Sequence, residues 1–155
     1  QGGQVGPART TGNTRGRGES RGTALRHRTE GAGHLAARAE ERNWPLAVSV
    51  FLGDQHVFRY ACPGTSSEND DWIERKRKTV YKFHEPSFLV GQRLISHGKD
   101  FHTETGLDQA YAAHGGGFPL FVGNQFVGAV IASGVPQQDD HAIVVEALRA
   151  AVHGE

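Results

Sequence analysis

Apolar residues fall along this chain in blocks whose period changes from one to the next, and those changes mark the elements. Residues 46–52 (LAVSVFL) are a β-branched and apolar run, Gly53-Asp54 makes a turn, and residues 56–61 (HVFRYA) resume the pattern with Val57, Phe58 and Tyr60. Two apolar runs across a glycine-containing turn predict a β-hairpin. The arrangement returns at 118–122 and 126–132, turning at Gly123-Asn124 and closing at Ser133-Gly134-Val135-Pro136. Between the hairpins the period lengthens to that of a helix. Ser66 or Ser67 can cap its start, Glu68, Asp70 and Asp71 lie in the first turn, and Arg75, Lys76, Arg77, Lys78 and Lys82 come later, an order that complements the helix dipole. Trp72, Ile73, Lys76, Val80 and Phe83 form its apolar stripe. Pro86 opens a second helix through Phe88, Leu89, Val90, Leu94 and Ile95, ending at Gly98. Residues 99–107 are polar and read as loop, and 108–113 as one helical turn. A short helix is predicted over 34–42, stopped by Trp44-Pro45. A last one is predicted from about Gln137 to Val152, where His141, Val144, Val145, Leu148 and Val152 share a face. This order predicts an α+β domain with an antiparallel sheet built from two hairpins and flanked by helices.

Composition adds a boundary. Residues 1–33 hold nine glycines, with Val5 and Leu25 as the only sizeable apolar side chains. Such a segment buries too little apolar surface to offset its ordering entropy, so it is expected to be a disordered Gly/Arg-rich tail, with the domain spanning 34–155. Its six arginines against two acids give +4, and the eleven basic and fifteen acidic residues of the remainder give −4. The tail's Arg-Gly pairs are a weak nucleic-acid signal. They lack aromatic residues for base stacking, and the balanced whole gives no field to attract nucleic acid or an anionic membrane. Neither is an expected partner. One cysteine, Cys62, cannot build a disulfide framework or a Cys-x-x-Cys pair and suits a reducing compartment. No apolar run approaches the roughly 20 residues that span a bilayer, and no signal-peptide stretch opens the chain. The expected compartment is the cytoplasm.

Candidate chemistry comes from the nine histidines. None forms the His-x-x-x-His pair of zinc hydrolases, so no protein-held metal is expected. His114 precedes Gly115-Gly116-Gly117, and glycines let backbone come close to a partner. A histidine there could meet iron or donate a hydrogen bond, or it could be a turn residue capping 108–113, and both readings stay open. Ser133, Asp140 and His141 are the residue types of a hydrolase triad. Adjacent helical positions point about 100° apart, however, and no Gly-x-Ser-x-Gly elbow is present. Asp140 reads better as a helix cap. The charge cluster 75–78 reads as a solvated helix face, with an anion site as the alternative. The triple glycine leads into a strand and is no phosphate loop. With no complete catalytic constellation, the sequence leaves open whether the protein is an enzyme.

Several stretches carry a resemblance: WPLAVSV (44–50), ACPGTSSENDDWIERKRKTVYKF (61–83), SFLVGQRL (87–94), GLDQAYAAHGGGFPLFV (106–122) and GAVIASGVPQQDDHAIVVEALR (128–149). In these the chain resembles the GlcG/HbpS-like haem-degrading-domain family, in a branch catalogued as an uncharacterised protein family. The resemblance implies a profilin-like sheet, a homo-oligomer, and haem or a related anionic small ligand, with an interaction scaffold lacking catalysis as the alternative. It offers as ligand-binding positions His114, His141, Arg93, Arg75, Lys76, Gly115, Gly116, Ser133, Gln137 and Asp140. The cations would pair with propionates and an imidazole would reach iron. Relatives often carry a large aliphatic residue where Cys62 stands, so the family assigns it no role.

Overall fold

A computed structural model describes residues 30–134, 139, 141–146 and 149. Both hairpins form as their patterns predict: β1 (Ala47–Leu52) with β2 (Gln55–Ala61), and β3 (Gly117–Val122) with β4 (Gln125–Ser133). They join through β1 and β4 into one antiparallel sheet of order β2-β1-β4-β3. Val48 sits opposite Ala132 and Val50 opposite Val130.

Strand alternation then decides what covers each face, since a one-residue slip would turn every side chain over. Val48, Val50, Leu120, Val130 and Ala132 meet a helix over 30–41 (α1) through Ala32, Leu35, Ala36 and Ala39, and residues 141–146 (α5) through Val144. Ala47, Ala129 and Ile131 on the other face meet Ile73 and Val80 of α2 (Ser67–Phe83). Each fully buried Val, Leu or Ile contributes about 1.5–3 kcal/mol, so both faces are driven closed. An ion pair between Arg38 and Glu146 joins the two helices of the first layer. Beside α2 lie α3 (Ser87–Ser96) and α4 (Phe101–Thr105).

Three sequence expectations change. The first helix already includes residue 30, the first of the described residues, and does not wait for 34, because Ala32 extends the buried stripe of Leu35, Ala36 and Ala39 by one turn. Part of the 99–107 loop is α4, whose signals are local. The Asp100 side chain accepts from the Thr103 N–H at 3.0 Å, and Gly106 closes the helix at φ +72°. Residues 108–113 form a turn and not a helical cap. The Ala112 N–H donates to α2, at 3.1 Å to the Arg75 carbonyl and 3.1 Å to Thr79 Oγ1, which pulls the chain away from a helical path. Among the described residues, no helix is long and apolar enough to cross a membrane.

Candidate functional site

The site is assembled where the start of α2 passes over the end of β4. Ser66 caps α2 through a capping box in which Asn69 Oδ1 accepts from the Ser66 N–H at 3.0 Å. The same Asn69 donates through Nδ2 to Ser133 Oγ at 3.3 Å, which fixes the helix start to the last residue of β4. Two turns on, Lys76 points at the sheet. It is 3% exposed, and Nζ donates to the Ala132 carbonyl at 2.8 Å. The charge cluster 75–78 is therefore not a uniformly solvated face. Lys76 lies at the i+3 position from Ile73, inside the buried stripe, and its aliphatic stem packs while its head is hydrogen-bonded.

Arg75, the next residue back, faces outward over Trp72. Its guanidinium carbon stands 4.3 Å from the indole centroid. His114 approaches the same indole edge-on, with ring centroids 5.0 Å apart. Burial and the neighbouring cations Lys76 and Arg75 hold the His114 imidazole below the usual histidine range, so the neutral ring is the favoured form. Arg75 Nη2 donates to Gln109 Oε1 at a long 3.4 Å, while Arg75 Nε is buried with no hydrogen-bond partner.

The backbone that presents His114 is pinned from α3. Ser87 Oγ donates to the His114 carbonyl at 2.6 Å and accepts from the Gly117 N–H at 3.0 Å. A side chain on Gly117 would put its Cβ 2.8 Å from Ser87 Oγ and Val80, and one on Gly91 would come within 2.2 Å of the Ala113 carbonyl oxygen. These glycines are therefore required by packing within the chain. Gly115 and Gly116 are buried between His114 and β3, and the Gly116 carbonyl accepts from the Ala132 N–H at 2.9 Å.

The structure thus brings His114, Arg75, Lys76, Gly115, Gly116 and Ser133 to one end of the sheet. His141 is stacked on Phe88 at 4.9 Å and tilted against Phe118 at 6.4 Å, residues that directly follow Ser87 and Gly117. Burial alone keeps its imidazole below the usual range. Ser133 is bonded to Asn69, so its described contacts do not join it to His141 as a triad would require. Arg93 on α3 pairs with Glu85. Gln137 and Asp140 lie outside the described residues. Sequence reasoning missed Gln109 and Ser87. The first sits in an unpatterned turn, and the second carries only the signal of a serine after the proline that opens a helix. Among the described residues, no three His, Cys, Asp or Glu side chains converge as a metal site.

Comparison with known proteins fits this architecture. Residues 29–149 match the model of the family described as haem degrading protein HbpS-like. A UPF0303 protein of Streptomyces coelicolor is 47% identical over 116 residues, 74% of this chain and 73% of that protein. One from Rhizobium etli is 45% identical over 116 residues, covering 74% and 70%. Among solved structures, Ybr137w superposes with TM-score 0.74 at 26% identity, over 81% of this chain and 76% of that one. PduOC in its haem complex gives TM-score 0.66 at 19% identity over 82% and 91%, and HbpS gives 0.64 at 21% over 84% and 89%. These last two show a shared fold. The length of the family match, together with the identity to the bacterial relatives, establishes that this chain belongs to the HbpS-like haem-degrading protein family.

Proposed function

We propose that the protein binds haem, or a closely related planar anionic molecule, at the end of the sheet where Trp72, Arg75, Lys76 and His114 meet, and that it does so as a homo-oligomer. The observation that carries this reading is the convergence of the His114 imidazole and the Arg75 guanidinium on the Trp72 indole. Family membership supplies the haem-related frame, and a fold neighbour is a haem complex.

The residues fit such a group. A propionate needs a cation, and the unpartnered Arg75 Nε is a buried donor without an acceptor. Iron held by a porphyrin needs one axial imidazole and no protein-built cage, and His114 kept neutral has a free lone pair at neutral pH. When bound, the porphyrin would bring the redox-active iron. The chain's part is to seat the ring against Trp72, neutralise its carboxylates and shield it from water. Oligomerisation is supported by Leu89 and Ile95 of α3, 47% and 61% exposed, and by β2 and β3, whose outer edges pair with no further strand among the described residues. The same exposed residues are what a scaffold without chemistry would use.

Titration with hemin tests the reading. A shifted Soret band that is lost in His114→Ala, with Arg75→Gln weakening affinity, is the expected result. A spectrum unmoved by protein would overturn it. If only His141→Ala abolishes the shift, the ligand sits against Phe88 and Phe118 instead. Light scattering on Leu89→Lys and Ile95→Lys decides between oligomer and monomer.

A further inference from the structure

We infer that the edge of Arg75 formed by its Nε–H and Nη2–H is a receptor for a carboxylate group of the ligand, and that Gln109 holds that place when no ligand is bound. The inference rests on the reading of a planar anionic ligand and names the group by which it is recognised.

The other arginines of the described fold show what is unusual about this one. Arg38, Arg59, Arg77 and Arg93 each pair with a carboxylate, from Glu146, Asp70, Glu74 and Glu85, and Arg42 lies over Trp44 at 4.9 Å, but among the described residues only Arg75 has a buried side-chain N–H with no acceptor. Arg59 makes the full fork, with contacts of 2.9 and 2.8 Å from Nη2 to both oxygens of Asp70 and 3.3 Å from Nε. Among the described residues, no acid pairs with Arg75. One face of its guanidinium is held by Trp72 at 4.3 Å, so the plane is fixed. Along its edge, Nε has no acceptor, and Nη2 reaches only the neutral Gln109 amide at 3.4 Å, beyond the 2.7–3.2 Å of a good N–H···O bond.

A fixed guanidinium plane with two parallel N–H groups is the geometry that matches a carboxylate two-to-two. Gln109 sits on the exposed turn after α4, whose Asp108 Oδ1 is occupied by the Ala110 N–H at 2.9 Å. Its amide oxygen takes one N–H of the fork, while the other, Nε–H, is covered and has no acceptor. Displacing it exchanges one long neutral bond for two charge-assisted ones. The ligand class is a flat ring system bearing at least one free carboxylate.

The test uses the full chain in a Trp44→Phe background, so that quenching reports Trp72, with metal-free mesoporphyrin and its dimethyl ester as probes. The diacid should bind about tenfold or more tighter than the ester, the scale of one charge-assisted pair. Gln109→Glu supplies an internal carboxylate to the fork, and should leave the protein folded while bringing the diacid down to the level of the ester. Arg75→Gln should do the same, and Arg75→Lys should recover part of the preference. Equal binding of diacid and ester, or a Gln109→Glu variant that still prefers the diacid, overturns the inference and leaves the haem reading standing. If neither porphyrin binds, benzoate is titrated. Quenching by benzoate that vanishes in Gln109→Glu keeps the receptor and discards haem, and silence toward benzoate discards both.

Discussion

The guanidinium of Arg75 stacks 4.3 Å from the Trp72 ring centroid while the His114 ring meets the edge of the same indole at 5.0 Å. One side chain therefore positions both a cation and an imidazole. A cation–π contact contributes about 0.5–2 kcal/mol depending on its exposure, and the edge-on ring pair about 0.5–1.5 kcal/mol. Trp72→Phe keeps an aromatic face and is expected to cost roughly 1 kcal/mol in urea unfolding, whereas Trp72→Leu should cost about 2 kcal/mol and weaken hemin binding as much as His114→Ala does. Unchanged hemin affinity in Trp72→Leu would show that the indole organises nothing.

Ser87 is a second such hub, and it acts on backbone. It is fully buried, and its hydroxyl bridges the His114 carbonyl and the Gly117 N–H. Ser87→Ala leaves both groups without that partner. The expected loss is about 1–3 kcal/mol, the desolvation cost of an unsatisfied buried group. Gly91→Ala attacks the same segment from α3 by crowding the Ala113 carbonyl, at a cost of about 1–3 kcal/mol. Amide exchange at residues 114–117 should accelerate in both variants, and protection as strong as in the parent would contradict the assignment.

Lys76 separates packing from hydrogen bonding. Lys76→Met keeps most of the stem volume and deletes the donor to Ala132, for an expected loss of about 1–2 kcal/mol. Lys76→Ala also leaves a cavity against the sheet, raising the loss to about 3 kcal/mol. Equal midpoints for the two in urea would mean that the stem packs against nothing.

The fold was legible in the sequence wherever a single period ran long enough. The two hairpins and α2 show it, because paired apolar runs across a glycine turn and a capped helical stripe each leave a mark on neighbouring residues. The inclusion of residue 30 in α1 was blurred by alanines, which mark a helix face weakly. For α4 the polar spacing hid what a cap and a glycine stop already spelled out. Of the site, His114 stood out beside its glycines and Lys76 fell within the apolar stripe of α2, but Gln109 was not legible. Its contact with Arg75 depends on how the 108–113 turn meets α2 across more than thirty residues of chain, and nothing local encodes that. The same limit applies to the contacts of Arg93 with Glu85 and of His141 with Phe88, which no local pattern encodes.

Acid should destabilise this protein before its carboxylates begin to protonate, and the two depressed histidines set the window. His114 is held low by burial, Lys76 and Arg75, and His141 by burial alone. In the unfolded chain both return to the ordinary value of 6.5. The fold therefore binds fewer protons than the unfolded chain as pH falls through that value, and stability falls with it. Above about pH 7.5 both states carry neutral rings and the effect vanishes. His114 is partly open to solvent, which limits its share, so the larger part of the slope belongs to His141. Glu74, whose carboxyl is lowered by its hydrogen bond from Arg77, gives up its contribution only as pH drops below the ordinary 4.5. Urea midpoints measured between pH 7.5 and 5.0 thus isolate the histidines. The parent should lose stability across that range, His141→Asn should flatten most of the slope, and the double variant with His114→Asn nearly all of it. A double variant as steep as the parent would place the proton uptake on other groups.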